Sequence, residues 1–302
     1  MKVVLLGTAA GGGFPQWNCA CALCAAARDG KLPARTQECA AISGNSRDWW
    51  LLNASPDIRT QLIGTPALAP GPGSRDTPVR GVLLTDAEAD HAMGLTILRG
   101  GTGLKVYAAP PVLATLAPLR ALLDRYAPWQ WTDNLTEGGF VLPGGLVVSA
   151  HPVGSKAPKY VSGPGADARW VTAYRIEDLA TGGVLVYAPC LGAWTPVLDA
   201  LLATATCVLL DGTFYTADEM GTAAPAAGGQ GGIPSDGQAA MGHLPVSGAH
   251  GSLAALARHP GPRRIYTHLN NTNPLLDRAS DAHARVTGAG AEVLPDGAEF
   301  VV

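Results

Sequence analysis

Leu84-Thr85-Asp86-Ala87-Glu88-Ala89-Asp90-His91-Ala92-Met93-Gly94-Leu95 is the stretch whose reading decides the fold. The apolar run Val79–Leu84 reads as a buried strand, and His91–Leu98 reads as a helix. Between them stand Asp86, Glu88 and Asp90 at a spacing of two, followed at once by His91. Acids near a helix N-terminus favour its dipole and can cap it. Three acids and an imidazole exceed what capping needs, and crowding like charges costs free energy that a cation would remove. The run therefore points to a metal or catalytic site at a strand-to-helix turn.

The flanking chain alternates strands with helices, which predicts an α/β fold. Strands are expected at Lys2–Leu6, Trp49–Leu52, Lys105–Ala108, Val141–Ala150, Val171–Ile176, Val184–Tyr187, Cys207–Leu210, Arg264–Thr267, Ala291–Leu294 and Glu299–Val302. Helices are expected at Asp57–Ile63, Pro111–Tyr126, Thr195–Ala203 and Leu253–Arg258. Ser55-Pro56-Asp57 has the form of a helix start, with Ser as the cap and Pro at the first position. Asp86, Asp211 and His268 each fall where a strand ends, the place where sites assemble in layered α/β folds. The Gly/Ala/Pro/Gln-rich stretch at about 221–237 reads as a flexible loop that could act as a lid within a single domain, 1–302.

A second run carries a different chemistry. Cys19, Cys21 and Cys24 lie directly after a glycine-rich loop, so one loop can wrap three thiolates around one tetrahedral ion. Zinc suits such a site, since thiolate binds it strongly and it brings no redox chemistry. Disulfides within so short a run would be strained. Cys39, Cys190 and Cys207 lie outside the cluster and read as packing residues.

Composition narrows the class. A chain of 302 residues with 47% hydrophobic and 15% charged residues fits a globular enzyme with a substantial core. Its net charge of −3 gives no electrostatic reason to bind nucleic acid or an anionic membrane. The first strand is interrupted too early by Gly7 to read as a signal peptide, and Pro189, Pro196 and Asp199 break the longest apolar stretch. A cytoplasmic location with reduced cysteines is the expectation, with no membrane and no nucleic acid as partner.

Leu84-Thr85-x-x-x-x-Asp90-His91-x-x-Gly94-Leu95 resembles the metal-ligand motif of the metallo-β-lactamase superfamily. Gly7–Cys21, Asn53–Arg59, Met241–Pro245 and Thr267–Pro274 extend the likeness, and together the segments resemble one family of that superfamily, which serves the biosynthesis of pyrroloquinoline quinone (PQQ). The likeness runs over nearly the whole chain. It implies a four-layer αβ/βα sandwich with metal bound at one edge of two facing sheets. It further implies Asp90, His91, Asp211 and His268 as active-site metal ligands and His243 as a proton donor. The cysteine cluster resembles an accessory zinc site of a related phosphodiesterase, whose fourth ligand is a late histidine; Asn271 stands at that place here.

Departures from the superfamily pattern shape the expected chemistry. Asp86 and Glu88 replace two histidines, Ser155 occupies a further ligand position, and Tyr187-Ala188-Pro189-Cys190 lacks the bridging carboxylate. These changes argue against a two-zinc hydrolase. Two imidazoles among carboxylates suit Fe(II) or Mn(II). The family resemblance implies an iron- and O2-dependent hydroxylase acting on the tyrosine ring of a peptide-derived Glu–Tyr precursor. Asp86 and Glu88 would ligate or orient ligands, and Lys156, Arg59 and Ser155 would hold the carboxylate-rich substrate. Expected cofactors are a structural Zn2+ and an active-site Fe2+; expected partners are the precursor, O2, other proteins of the pathway and a second copy of the chain. The alternatives are a non-catalytic carrier of PQQ or its precursor that assists transport to the periplasm, and a metal-dependent hydrolase.

Overall fold

A computed structural model describes residues 1–163, 167–222, 238 and 240–302. Its strands are β1 (Lys2–Gly7), β2 (Cys39–Ser43), β3 (Trp49–Leu52), β4 (Val79–Leu83), β5 (Lys105–Ala108), β6 (Gln130–Asp133) and β7 (Phe140–Leu142). They continue with β8 (Leu146–Gly154), β9 (Val171–Asp178), β10 (Val184–Ala188), β11 (Cys207–Asp211), β12 (Arg263–Thr267), β13 (Ala291–Val293) and β14 (Glu299–Val301). Among the described residues they form two seven-stranded sheets, ordered β14-β1-β2-β3-β4-β5-β6 and β13-β12-β11-β10-β9-β8-β7.

The strand period explains how the sheets stack. Val3 and Leu5 of β1 join Ile42, Leu52, Tyr187, Leu209 and Ile265 in a core between the sheets. Val4 and Leu6, one residue out of phase, face a layer that includes Ile58, Leu95 and Val112. On the outer face of the second sheet, Val186, Val208 and Leu210 pack on Leu198, Leu202, Leu256 and Val286. Each sheet is thus covered on both faces, which is why its strands are near-continuous apolar runs, and the result is the expected four-layer sandwich.

Four local expectations change. The helix expected at His91–Leu98 is a short α-helix, Ala89–Ala92, followed by a tighter 3-10 stretch, Met93–Gly100. Val141–Ala150 is not one strand: Gly144 and Gly145 take φ values of 101° and 81°, and Pro143–Gly145 turns the chain into the β7–β8 hairpin. Ser55 does not cap the following helix; its hydroxyl donates to Gln61 Oε1, and the helix Ile58–Gly64 starts after Asp57. The helix expected at Pro111–Tyr126 is two helices, Pro110–Thr115 and Ala117–Leu123. Of the loop expected at 221–237, positions 223–237 lie outside the described residues, and Gly221 and Thr222 end the helix Glu219–Thr222. Among the described residues no helix is long and apolar enough to cross a membrane.

The topology decides where chemistry can gather. β3 runs parallel to β4, and β10, β11 and β12 are mutually parallel. Their carboxyl ends therefore open on common edges, as is usual for sites in α/β sheets.

Candidate metal centre

Each imidazole of the centre is turned by a partner behind it. His91 is fully buried in the short helix Ala89–Ala92, and its Nδ1 lies 2.9 Å from both oxygens of Asp86. Asp86 is itself fixed, accepting from the Glu88 backbone N–H at 2.9 Å and the Thr85 hydroxyl at 2.8 Å. Thr85 in turn donates its backbone N–H to Asn53 Oδ1 at 3.0 Å. Asn53 adopts φ 62°, a left-handed conformation that Asn tolerates, immediately after β3. The carboxylate accepts the proton on Nδ1, which turns Nε2 of His91 towards the cavity as the free donor.

His268 follows β12 with φ 59° and is also buried. Its Nδ1 lies 2.7 Å from the Thr213 hydroxyl, which donates to Asp211 Oδ1 at 2.6 Å. A hydroxyl has a single proton to give, so Thr213 accepts from His268 Nδ1–H and leaves Nε2 of His268 facing Asp90 Oδ2 at 3.2 Å. The two rings have centroids 5.0 Å apart at 59°. Asp90 Oδ2 is 3.9 Å from His91 Nε2. Two ligands of one tetrahedral ion stand about 3.4 Å apart at usual metal–ligand distances, so Asp90, His91 and His268 fit around one ion with small adjustments.

His91 Nε2 is buried and has no hydrogen-bond partner. An orphaned buried imidazole nitrogen costs free energy unless something satisfies it. Burial alone would disfavour charge on His91, but Asp86, Asp90 and Glu38 outweigh it and push its pKa up to about 10. A proton thus meets, in the metal-free chain, the demand for positive charge that a divalent cation would meet. The donor set and the orphaned nitrogen both fit a metal here.

Asp211, expected as a ligand, is already engaged. Its Oδ2 accepts from Leu191 N–H and lies 2.7 Å from His243 Nδ1, and its Oδ1 accepts from Thr213 N–H and hydroxyl. It holds His243 and Thr213 in place, and Thr213 in turn holds His268. Asp211, His243 and His268 nevertheless bring donor atoms within 4.8 Å of one another.

A cavity of about 450 Å³ opens over Asp86, Glu88, Asp90, His91, His243 and His268. Lys156, Lys159 and Tyr160 line it from one loop, with Gln16, Asn270 and Asn271 as further polar groups and Val171, Phe214, Met220 and Met241 as apolar ones. Lys156 Nζ pairs with Glu88 Oε1 at 2.6 Å, and the Tyr160 hydroxyl donates to the Ala87 carbonyl. Gly11 also lines the cavity; a Cβ there would come within 3.2 Å of Asp90 Oδ2. Two expected substrate contacts are corrected. Arg59 is an exposed residue of the helix Ile58–Gly64, and Ser155 is exposed; neither lines this cavity.

Sequence reasoning missed four residues of the centre. Thr213 and Asn53 act through the hydrogen bonds above. Glu38 is buried beneath His91, with Oε2 taking the Tyr187 hydroxyl at 2.6 Å, and burial raises its pKa to about 7. Cys190 packs in the core as expected but also lines the cavity. It follows β10 at the same sheet edge as Asp211, a neighbourhood set by strand pairing.

The cysteine cluster is a separate place. Cys19, Cys21 and Cys24 bring their sulfurs within 4.8 Å of one another at the start of the helix Ala22–Arg28. Backbone N–H groups of Cys21 and Cys24 point at the sulfurs of Cys19 and Cys21, at 3.4 and 3.5 Å. The Asn271 amide covers them, with Nδ2 3.2 Å from Cys19 and 3.5 Å from Cys24. Turning that amide over would present its oxygen to a bound ion.

Comparison with known proteins agrees with this architecture. The beta-lactamase superfamily domain matches residues 48–269. Coenzyme PQQ synthesis protein B of Methylococcus capsulatus is 41% identical, with both chains covered over their full length. The crystal structure of zinc-bound PqqB from Methylobacterium extorquens superposes with a TM-score of 0.88 at 35% identity, covering 100% of each chain. A diphosphatase of the PhnP family shares the fold at a TM-score of 0.67 and 15% identity, covering 100% of this chain and 97% of its own. The chain belongs to the beta-lactamase superfamily and, within it, to the coenzyme PQQ synthesis protein B family.

Proposed function

We propose that this member of the PQQ-synthesis family is an Fe(II)- and O2-dependent hydroxylase of the tyrosine ring in a Glu–Tyr precursor. The observation that carries the reading is the meeting of His91 Nε2, His268 Nε2 and Asp90 Oδ2 at one corner of an open cavity. Two imidazoles and one carboxylate with room beside them form the donor set of non-haem iron oxygenases. Iron bound there would activate O2, and an external reductant would supply the two electrons that, with two protons, send one oxygen atom to water while the other enters the ring.

The chain's own residues do the rest. Asp86 and Thr213 fix the tautomers and ring planes of His91 and His268, as partners of metal-bound histidines commonly do. His243, held by Asp211, moves a proton at the cavity wall. Lys156 attracts a substrate carboxylate; Glu88 holds that ammonium in the meantime and would be exchanged on binding. Val171, Phe214 and Met241 give the ring an apolar wall. Zinc in the cysteine cluster braces the loop Asn270–Asn273.

The test loads anaerobic protein with Fe(II) or Zn(II) and adds the precursor, a chemical reductant such as ascorbate, and O2. Product heavier by one oxygen with iron alone supports the hydroxylase. Tight binding without turnover under either metal would replace it with the carrier reading, and zinc-dependent phosphodiester cleavage with the hydrolase reading.

A further inference from the structure

Cys190 stands where the edge of the second sheet meets the metal centre. It comes two residues after β10, and the next backbone N–H, that of Leu191, donates to Asp211 Oδ2 at 2.7 Å. That bond fixes the backbone beside the thiol. Cys190 is 8% exposed, while His91 and His268 are 0% and 3% exposed. The three residues bring one ligand atom each within 4.8 Å of one another. Independently of the thiol, His91 Nε2 is a fully buried nitrogen without a partner at this same place.

We infer that Cys190 supplies a thiolate to the metal held by His91 and His268, making the centre a two-imidazole, one-thiolate site with Asp90 as a further oxygen donor. The inference rests on the reading of this place as a metal centre, and not on the hydroxylase chemistry. Its consequence is selectivity. A thiolate favours borderline ions such as Fe(II), Co(II) and Zn(II) over Mg(II), Ca(II) and Mn(II), which prefer oxygen donors. A site of two imidazoles and carboxylates alone would accept Mn(II) far more readily. With a metal–sulfur bond of about 2.3 Å and a metal–imidazole bond of about 2.1 Å, ligands of one tetrahedral ion stand about 3.4–3.6 Å apart, so donors within 4.8 Å of one another close around it with side-chain movements of up to about 1 Å.

The experiment uses full-length protein, anaerobic and reduced, with its cysteine cluster already filled with zinc. Co(II) is added, and zinc analysis confirms that one zinc per chain stays bound, so a new sulfur signal cannot come from Cys19, Cys21 and Cys24. The expected result is one cobalt per chain with a sulfur-to-cobalt charge-transfer band in the near ultraviolet, and loss of that band in Cys190→Ser with the cobalt retained. Cobalt bound without the band, or a band that survives in Cys190→Ser, overturns the inference and leaves the metal centre standing. No cobalt beyond the zinc overturns both. X-ray absorption at the cobalt edge needs no variant: one sulfur neighbour near about 2.3 Å supports the thiolate, and nitrogen and oxygen neighbours alone overturn it.

Discussion

His268 and Asn271 are three residues apart on one loop, and they face two different centres. His268 Nε2 lies 3.2 Å from Asp90 Oδ2, while Asn271 Nδ2 lies 3.2 Å from Cys19 Sγ. Between them, Leu269 is tied to Thr8 and Ala10 by backbone hydrogen bonds, and Asn270 N–H donates to the Thr213 carbonyl. The loop is thus pinned at both ends and in the middle, which lets each centre be emptied without the other.

Removal of one histidine should separate the two sites. His91→Ala or His268→Ala is expected to abolish metal at the cavity and to leave one zinc per chain on the cysteines, read by metal analysis of purified protein. Loss of the cysteine-bound zinc in His91→Ala would contradict two independent sites.

Cys21→Ser should release that zinc. Structural zinc contributes folding free energy directly, so a loss of about 2–3 kcal/mol and, for a chain of 302 residues, a fall in Tm of roughly 3–5 °C are expected by calorimetry. An unchanged Tm together with lost zinc would mean that the cluster braces nothing.

Asp86→Asn keeps the shape of the side chain and removes its charge. With a weaker partner on Nδ1, His91 should bind metal about 10- to 100-fold less tightly in competition with a chelator. Wild-type affinity in this variant would make Asp86 a bystander.

Charge on His91 gives the metal-free chain a definite pH dependence. Its pKa is raised to about 10 in the folded state, from an ordinary value near 6.5, by carboxylates that outweigh burial. The folded state therefore holds the proton more tightly. This stabilisation is full below about pH 6.5 and is lost as pH rises towards about 10, at up to about 1.4 kcal/mol per pH unit. Denaturant titrations across that window should show the decline in metal-free protein and a smaller one in His91→Gln.

Lys156→Met tests substrate capture. KM for a carboxylate-bearing precursor should rise roughly tenfold, about 1.4 kcal/mol, with metal content unchanged. A change in kcat alone would place Lys156 outside substrate binding.

The sequence made the strand ends legible, because Asp86, Asp211 and His268 each interrupt an apolar run at its carboxyl end. It hid what lies behind them. β2, Cys39-Ala40-Ala41-Ile42-Ser43, is rich in alanine and carries little strand signal, so Glu38 at its start went unread. Thr213 and Asn53 act by hydrogen bonds formed only when segments distant in the chain meet. Cys190 looked like any small apolar residue at the end of a buried strand, and only the packing of two sheets brings it beside His91. Arg59 erred the other way: helix phase puts it in solvent, although its segment belongs to the family pattern.

Anomalous diffraction from crystals loaded anaerobically with Fe(II), measured on both sides of the iron edge, tests the central claim most directly. An iron peak bounded by His91, His268 and Asp90, with zinc among Cys19, Cys21 and Cys24, is the predicted result. Iron found only at the cysteines, or no iron between His91 and His268, would contradict it.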